Sequence, residues 1–255
     1  MSPEVKPPPK ARPNSDALLA ELLRLGPARA GLRAFLESSA LDEPEMIALL
    51  RRPVSVPFLE LVAASAPWSE RPRVLGGVVL NPRTPRPLAQ RLLPSLYWRD
   101  LADVAASPRL DAGVRAKAEG LLKDKLTELR LGEKITLARL ATPALLRLIL
   151  RESDPKILSA GLQNPRLRES DLAALLQGLE VTRALLEATA SASRWTSSYA
   201  VRLALVLQPK TPLPVALAQL TSLVGRDLKR LVETPGIPLL IQAAAARVAR
   251  EAEEG

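Results

Sequence analysis

Apolar residues recur at spacings of three and four along most of this chain, which is the period of an α-helix with one buried face. Two stripes show this spacing clearly: Leu88, Leu92, Leu93 and Leu96, and then Val215, Leu217, Leu220 and Leu223. No segment alternates apolar and polar residues for long enough to predict a strand. The pattern predicts an all-α chain of helices of about 8–20 residues, with turns so short that consecutive helices run antiparallel.

Prolines preceded by a small polar residue divide this pattern into segments. A Ser, Thr, Asp or Asn before Pro predicts an N-cap followed by proline in the first turn, where its missing N–H has no cost. In the run that begins at Asn81, the first proline ends one helix and the second begins the next. The predicted helix starts are Thr84-Pro85, Thr142-Pro143, Asp154-Pro155 and Asn164-Pro165.

The chain also repeats itself at a spacing of 127 residues. Residues 54–118 align without gaps on residues 181–245, with 22 of the 65 positions identical. The repeat markers are Trp68 and Trp195, Pro82 and Pro209, and Asp100 and Asp227. Self-similarity of this kind is typical of stacked helical repeats. We predict a Pro-rich tail (1–14), a first copy (15–130), a join (131–141) and a second copy (142–252), with about eight helices per copy.

The segment V-R-L-A-L-V-L-Q-P-K-T-P from Val201, together with V-V-L-N-P-R-T-P from Val78, resembles the HEAT-like and leucine-rich-repeat-variant α-solenoid proteins of bacteria. The resemblance implies a HEAT/ARM-like superhelix in which both copies stack as one continuous solenoid. It also implies a scaffold that presents a surface to a protein partner. The iron–sulfur cluster of one member of that class cannot form here, because the chain has no cysteine.

Composition excludes several kinds of chemistry. The chain has neither cysteine nor histidine, and aromatic residues make up only 3%. Zinc sites, thiol nucleophiles and imidazole bases are therefore excluded, and no pair of carboxylates is placed for acid–base work. We predict no cofactor, no metal and no enzymatic activity. The N-terminus lacks the apolar core of a signal peptide, and no apolar run is long enough to span a membrane, so a cytoplasmic location is expected.

The net charge of +9 is unevenly distributed, and residues 71–130 carry +6 of it. Basic residues recur after the shared proline turn in both copies, and equivalent positions of stacked repeats fall along one edge. They predict either a salt-bridged solvated face or a basic strip for nucleic acid, which would bind phosphates without regard to sequence. The candidate strip comprises Arg83, Arg86, Arg91, Arg99, Lys210, Arg226, Lys229 and Arg230.

The repeated Trp and Asp residues each have a structural and a functional interpretation. Either tryptophan could wedge between helices with its indole N–H on a carbonyl, or stack on a base, for which the chain has few aromatic partners. Asp100 and Asp227 are predicted N-caps of the helices that follow. Trp98-Arg99-Asp100 also resembles part of the site of HEAT-like DNA glycosylases, a remote alternative, since Gly225 replaces Trp98 in the second copy.

Three further segments complete the predictions. Gly76-Gly77 lacks a phosphate-binding pattern, so close helix packing is expected there. The tail is predicted to be solvated, or to form a basic arm on an anionic partner. Around the join, one helix is predicted to continue to Leu131 and to end at Gly132. The leading hypothesis is a non-enzymatic scaffold for a protein partner, and nucleic-acid binding is the alternative.

Overall fold

A computed structural model describes residues 15–38 and 41–254 of the chain. Every regular element within these ranges is helical, and they contain no strand. The all-α prediction is therefore confirmed. The predicted tail (1–14) lies outside the described residues. Contacts between residues divide the chain into two compact units, with the boundary between Asp124 and Lys125.

The first unit contains eight described α-helices and two short 3-10 turns. The turns are Trp68–Glu70 and Leu93–Ser95. The helices are α1 (Ser15–Leu25), α2 (Arg29–Ser38), α3 (Glu43–Leu50), α4 (Val56–Ala64), α5 (Pro72–Leu80), α6 (Arg86–Leu92), α7 (Trp98–Ala106) and α8 (Ala112–Lys125).

The second unit contains ten described α-helices. They are α9 (Leu131–Leu140), α10 (Pro143–Ile149), α11 (Pro155–Leu162), α12 (Glu169–Leu176), α13 (Arg183–Ala190), α14 (Ser193–Thr196), α15 (Tyr199–Leu207), α16 (Leu213–Leu220), α17 (Gly225–Glu233) and α18 (Leu239–Glu254).

The helices of each unit pack mainly against helices close to them in the chain. In the first unit α1, α3, α5 and α7 pack in succession, and α2 packs on α4. In the second unit α9 packs on α11, α11 on α13, and α12 on α15. The side chains between them are mainly Leu, Val and Ala, and few are aromatic. Burial of these aliphatic side chains holds the helices together, at about 25 cal/mol for each Å² of apolar surface removed from water.

Helices in the two units occupy matching positions along the sequence. Helix α5 moved by 127 residues coincides with α15, and α7 moved by the same amount coincides with α17. Helices α4, α6 and α8 likewise match α13, α16 and α18 to within a residue or two at each end. The spacing of identical residues is thus also the spacing of helices.

The predicted N-caps divide into correct and incorrect cases. Thr142 and Asp154 cap α10 and α11 through their side chains, with proline in the first turn, so both predictions are confirmed. The prediction for Thr84 is wrong, because α6 begins two residues later and the Thr84 hydroxyl donates to the carbonyl of Val78 in the preceding helix. The prediction for Asn164 is also wrong, because the next helix begins only at Glu169.

The prediction that one helix runs through the join to Gly132 is wrong. Helix α8 ends at Lys125, and a new helix begins at Leu131. There the Glu133 carboxylate accepts the backbone N–H of Arg130 at 2.9 Å, which satisfies a donor at the helix start. Gly132 therefore lies in the first turn of α9, and most of the predicted join is a helix that packs on α10 and α11.

Candidate binding grooves

A buried side-chain amide ties helix ends together at three places. Asn81 donates to the carbonyls of Leu50 and Arg52, at 2.8 and 2.7 Å, and accepts the N–H of Arg83. Asn164 donates to the carbonyls of Ala138 and Ala141 and is fully buried. Since the last carbonyls of a helix have no partner within it, these amides satisfy acceptors that packing would otherwise leave buried and unpaired.

The third amide clamp lies in the second unit, and it holds a loop as well as a helix end. Gln208 donates to the carbonyls of Leu176 and Gly178, at 2.7 and 3.3 Å. The ammonium of Lys210 donates to the next carbonyl, that of Leu179, at 2.6 Å. Sequence reasoning missed these clamps, although their signal is present: each is an amide residue, then proline, then a basic residue.

The held loop forms one side of an apolar groove in the second unit, which we call the leucine groove. It lies between α10, α12 and α13 and has a volume of about 480 Å³. Leu179 is 91% exposed at its edge, and Gly178 and Ala174 leave the wall low beside it. The apolar lining is Leu150, Ala174, Leu175, Leu179, Val181 and Leu185.

The charged residues at the rim of the leucine groove are paired within the chain. Arg147 lies 3.4 Å from Asp171, and Arg151 forms an ion pair with Glu180. All four line the groove. Because these charges neutralise one another, the groove presents apolar surface between balanced ion pairs and has no surplus charge to attract phosphate.

A second groove, the arginine groove, lies in the first unit between α2, α4 and the start of α6. Its volume is about 700 Å³. Arg29 forms an ion pair with Glu60 across it. Among the described residues, no carboxylate lies within ion-pair distance of Arg33 or Arg91. The lining is Arg29, Arg33, Glu60, Leu61, Ala64, Pro85, Pro87, Leu88 and Arg91.

The structure places the predicted basic strip in several different environments. Arg86 lies 3.4 Å from Asp111, Lys210 belongs to the third amide clamp, and Arg226 lies 3.9 Å from Asp227. Arg91 lines the arginine groove. The four members with exposed side chains that complete the strip are Arg83, Arg99, Lys229 and Arg230. Sequence reasoning missed Arg29 and Arg33, because α2 lies outside the densely matching part of the repeat.

Both repeated tryptophans are buried. Trp195 is 2% exposed, and its indole N–H donates to the carbonyl of Leu162 at 2.9 Å. Trp68 is 4% exposed. An arginine guanidinium covers each ring, from Arg71 at 5.0 Å and from Arg194 at 4.5 Å. With their faces covered in this way, the two rings serve helix packing and offer no platform for base stacking.

The two repeated aspartates are not N-caps. Helix α7 begins at Trp98 and α17 at Gly225, so each Asp is the third residue of its helix. Asp227 is 6% exposed and accepts a hydrogen bond from the phenol of Tyr199, which in turn accepts the Val224 N–H at 3.3 Å. The capping prediction failed because the helices start one turn earlier than the first apolar residue indicates.

The pKa values at these positions follow from their surroundings. Burial raises the pKa of the Asp100 carboxyl, and the neighbouring charge of Asp103 raises it further, against the opposing effect of Arg73. Burial also raises the pKa of the Tyr199 phenol, and so does its hydrogen bond to Asp227. Neither group has the arrangement of an acid–base pair.

Asp100 opens onto a third groove, of about 830 Å³, along α3, α5 and α7. Helix α5 contributes Gly76 and Gly77 to it. A Cβ on Gly76 would lie 3.2 Å from the Asp100 carboxyl carbon, and one on Gly77 would lie 3.1 Å from Leu50. The prediction of close packing at this glycine pair is therefore confirmed.

The described part of the chain contains no cluster of metal-binding side chains and no helix long and apolar enough to cross a membrane. Comparison with known proteins gives no match, since no family model, curated protein or solved structure is similar to this chain. The three grooves and their chemistry are therefore the basis for an inference about function.

Proposed function

We propose that this protein is a non-enzymatic binding protein that presents the leucine groove to an apolar segment of a protein partner. The observation that carries the proposal is an open apolar groove whose rim charges are already paired. Exposed apolar surface bordered by polar residues is typical of protein interaction sites. A helix or extended segment that places aliphatic side chains beside Leu179 would bury it without leaving any charge unpaired.

The architecture supports the same proposal. Each helix packs chiefly on helices one to three steps away in the chain, as in α-solenoids, where every repeat contacts only its neighbours. We therefore propose that each unit is a HEAT-like solenoid segment that arose by duplication. Such segments leave long surfaces uncovered, and the leucine groove is one of these. The third clamp fixes its loop in advance of binding, which lowers the ordering cost of association.

Nucleic-acid binding through the basic strip has less support. Three of the eight strip residues lie against acceptors of the same chain, at Arg86, Lys210 and Arg226. The buried tryptophans offer no stacking surface. A mobility-shift series with duplex DNA, single strands and RNA tests this alternative. Binding at low salt that is lost on reversing Arg83 and Arg99 would favour it over the protein-binding proposal.

The leucine groove is tested by selecting peptides that bind the full chain from a displayed random library. We expect selected peptides rich in aliphatic residues, and a loss of affinity of about tenfold or more for Leu179→Asp, because burying a carboxylate in an apolar groove is costly. Leu239→Asp is the matched control, since Leu239 is 81% exposed in the same unit and lies outside the groove.

The control variant should bind the selected peptide within about twofold of the unmodified protein, a change of less than about 0.5 kcal/mol. Equal losses for both variants would show that the groove is not the binding site. A library that yields no binder would overturn the proposal.

A further inference from the structure

The arginine groove is a second surface with a different chemistry, and it is independent of the leucine groove. Arg29 and Arg33 lie one turn apart on α2, so their guanidinium groups face the same side. Arg91 reaches the groove from α6. With three guanidinium groups and the single carboxylate of Glu60, the groove carries a surplus of two positive charges.

The floor of the arginine groove is apolar. Leu61 and Leu88 are 8% and 7% exposed, and Pro85 and Pro87 form a rigid edge. The volume of about 700 Å³ lies within the range of about 300–1,000 Å³ that is usual for ligand sites. No aromatic side chain lines it, so it has no stacking surface for a nucleobase.

The equivalent helices of the second unit form a groove of different character. The groove between α11 and α13 has a volume of about 570 Å³. Its single charged residue, Arg194, covers the ring of Trp195. The position 127 residues after Arg91 is Ala218. The same packing of helices therefore gives a nearly neutral groove in one unit and a cationic groove in the other, and helix packing does not require the arginines.

We propose that the arginine groove binds an acidic peptide segment of a protein partner, with carboxylates on Arg33 and Arg91 and aliphatic side chains on the floor. Guanidinium groups bind carboxylates through paired hydrogen bonds. The alternation of charge above an apolar floor matches a peptide in which Asp or Glu residues are interspersed with Leu or Val. A polyphosphate chain would match the charge and leave the floor uncovered.

The test uses a short fluorescent peptide of alternating glutamate and leucine, with fluorescence anisotropy measured on the full chain at about 0.15 M salt, where distant charges are screened. We expect saturable binding that weakens at least about tenfold in the double variant Arg33→Glu and Arg91→Glu, because each reversal replaces an attraction by a repulsion.

The matched control is the double variant Arg139→Glu and Arg230→Glu, which changes the net charge equally at exposed positions outside the groove. It should bind within about threefold of the unmodified protein, because general attraction is weak at this salt. Equal weakening in both variants, or no saturable binding, would overturn the proposal. Displacement of the peptide by a single-stranded RNA of equal charge, through the same two arginines, would also overturn it in favour of nucleic acid.

Discussion

Asp100 and Asp227 occupy the same position in the two units, yet their surroundings differ. In the second unit Tyr199 donates to Asp227 and closes the space between α15 and α17. In the first unit the position of Tyr199 is Pro72 and that of Leu203 is Gly76, and Asp100 borders an open groove. One helical arrangement therefore tolerates both a closed and an open form at this place. Repeat packing constrains the backbone and leaves the surface free to diverge.

The amide clamps are the feature that both units share, so the largest effects are expected there. Asn81→Ala removes three hydrogen bonds from a fully buried site and should lower the free energy of unfolding by about 3 kcal/mol. Gln208→Ala should cost about 2 kcal/mol, since two of its bonds are 3.3 Å long. Urea denaturation measures both.

The exposed amide of Gln163 provides the control for the clamps. Gln163→Ala should change the free energy of unfolding by less than about 0.5 kcal/mol. If Asn81→Ala were as mild as this control, the clamps would not be what the two units have in common.

The second prediction concerns the closed form at Asp227. Tyr199→Phe removes the phenol and leaves a buried carboxylate without this donor, which should destabilise the protein by about 2 kcal/mol. Tyr97→Phe, at a side chain that is 60% exposed, should be nearly neutral. In a double-mutant cycle Asp227→Asn should cost less once Tyr199 is absent. Additive effects would instead show that the pair does not couple the two helices.

The smallest expected effect is at the open form, and it depends on pH. Because the pKa of Asp100 is raised in the folded protein, the folded state binds more protons than the unfolded state just above pH 3.8. Stability contributed at this site is fully present below that pH and is lost as pH rises through the folded pKa. Asp100→Asn should therefore be more favourable to stability at about pH 7 than at about pH 3.

Thermal unfolding of Asp100→Asn and of the unmodified protein at both pH values measures this difference. The gain at the higher pH relative to the lower should be small, because Asp100 is only partly buried. A variant whose relative stability is the same at both pH values would show that burial of this carboxylate has no energetic consequence.

The sequence predicted the helical class and the spacing of the helices, because apolar periodicity and the repeat act over many residues at once. It failed at single turns. Asn164-Pro165 has the pattern of a helix start, but the Asn amide contacts carbonyls 23 and 26 residues earlier. A local pattern cannot distinguish a side chain that caps the next helix from one that bonds to a previous helix.

The candidate sites were harder to predict for a related reason. Lys210 and Arg91 have similar positions relative to the proline turns, so both were assigned to one strip. Their environments depend on tertiary packing: Lys210 contacts the carbonyl of Leu179, and Arg91 lines a groove with Arg33. Leu179 itself follows Gly178 in a loop, where no periodicity marks an exposed leucine as unusual.

The third clamp has a consequence for experiments that locate a binding region by shortening the chain. The residues that line the leucine groove all lie between Arg147 and Leu185. Gln208 and Lys210, which hold the Leu179 loop, come later in the chain. A fragment that stops between Leu185 and Gln208 would keep every contact residue and lose the donors that fix the loop.

Such a fragment would lose affinity although the deleted region never touches the partner. Deletion mapping would then assign the interaction to the C-terminal helices, whereas the point variant Leu179→Asp would assign it to the groove.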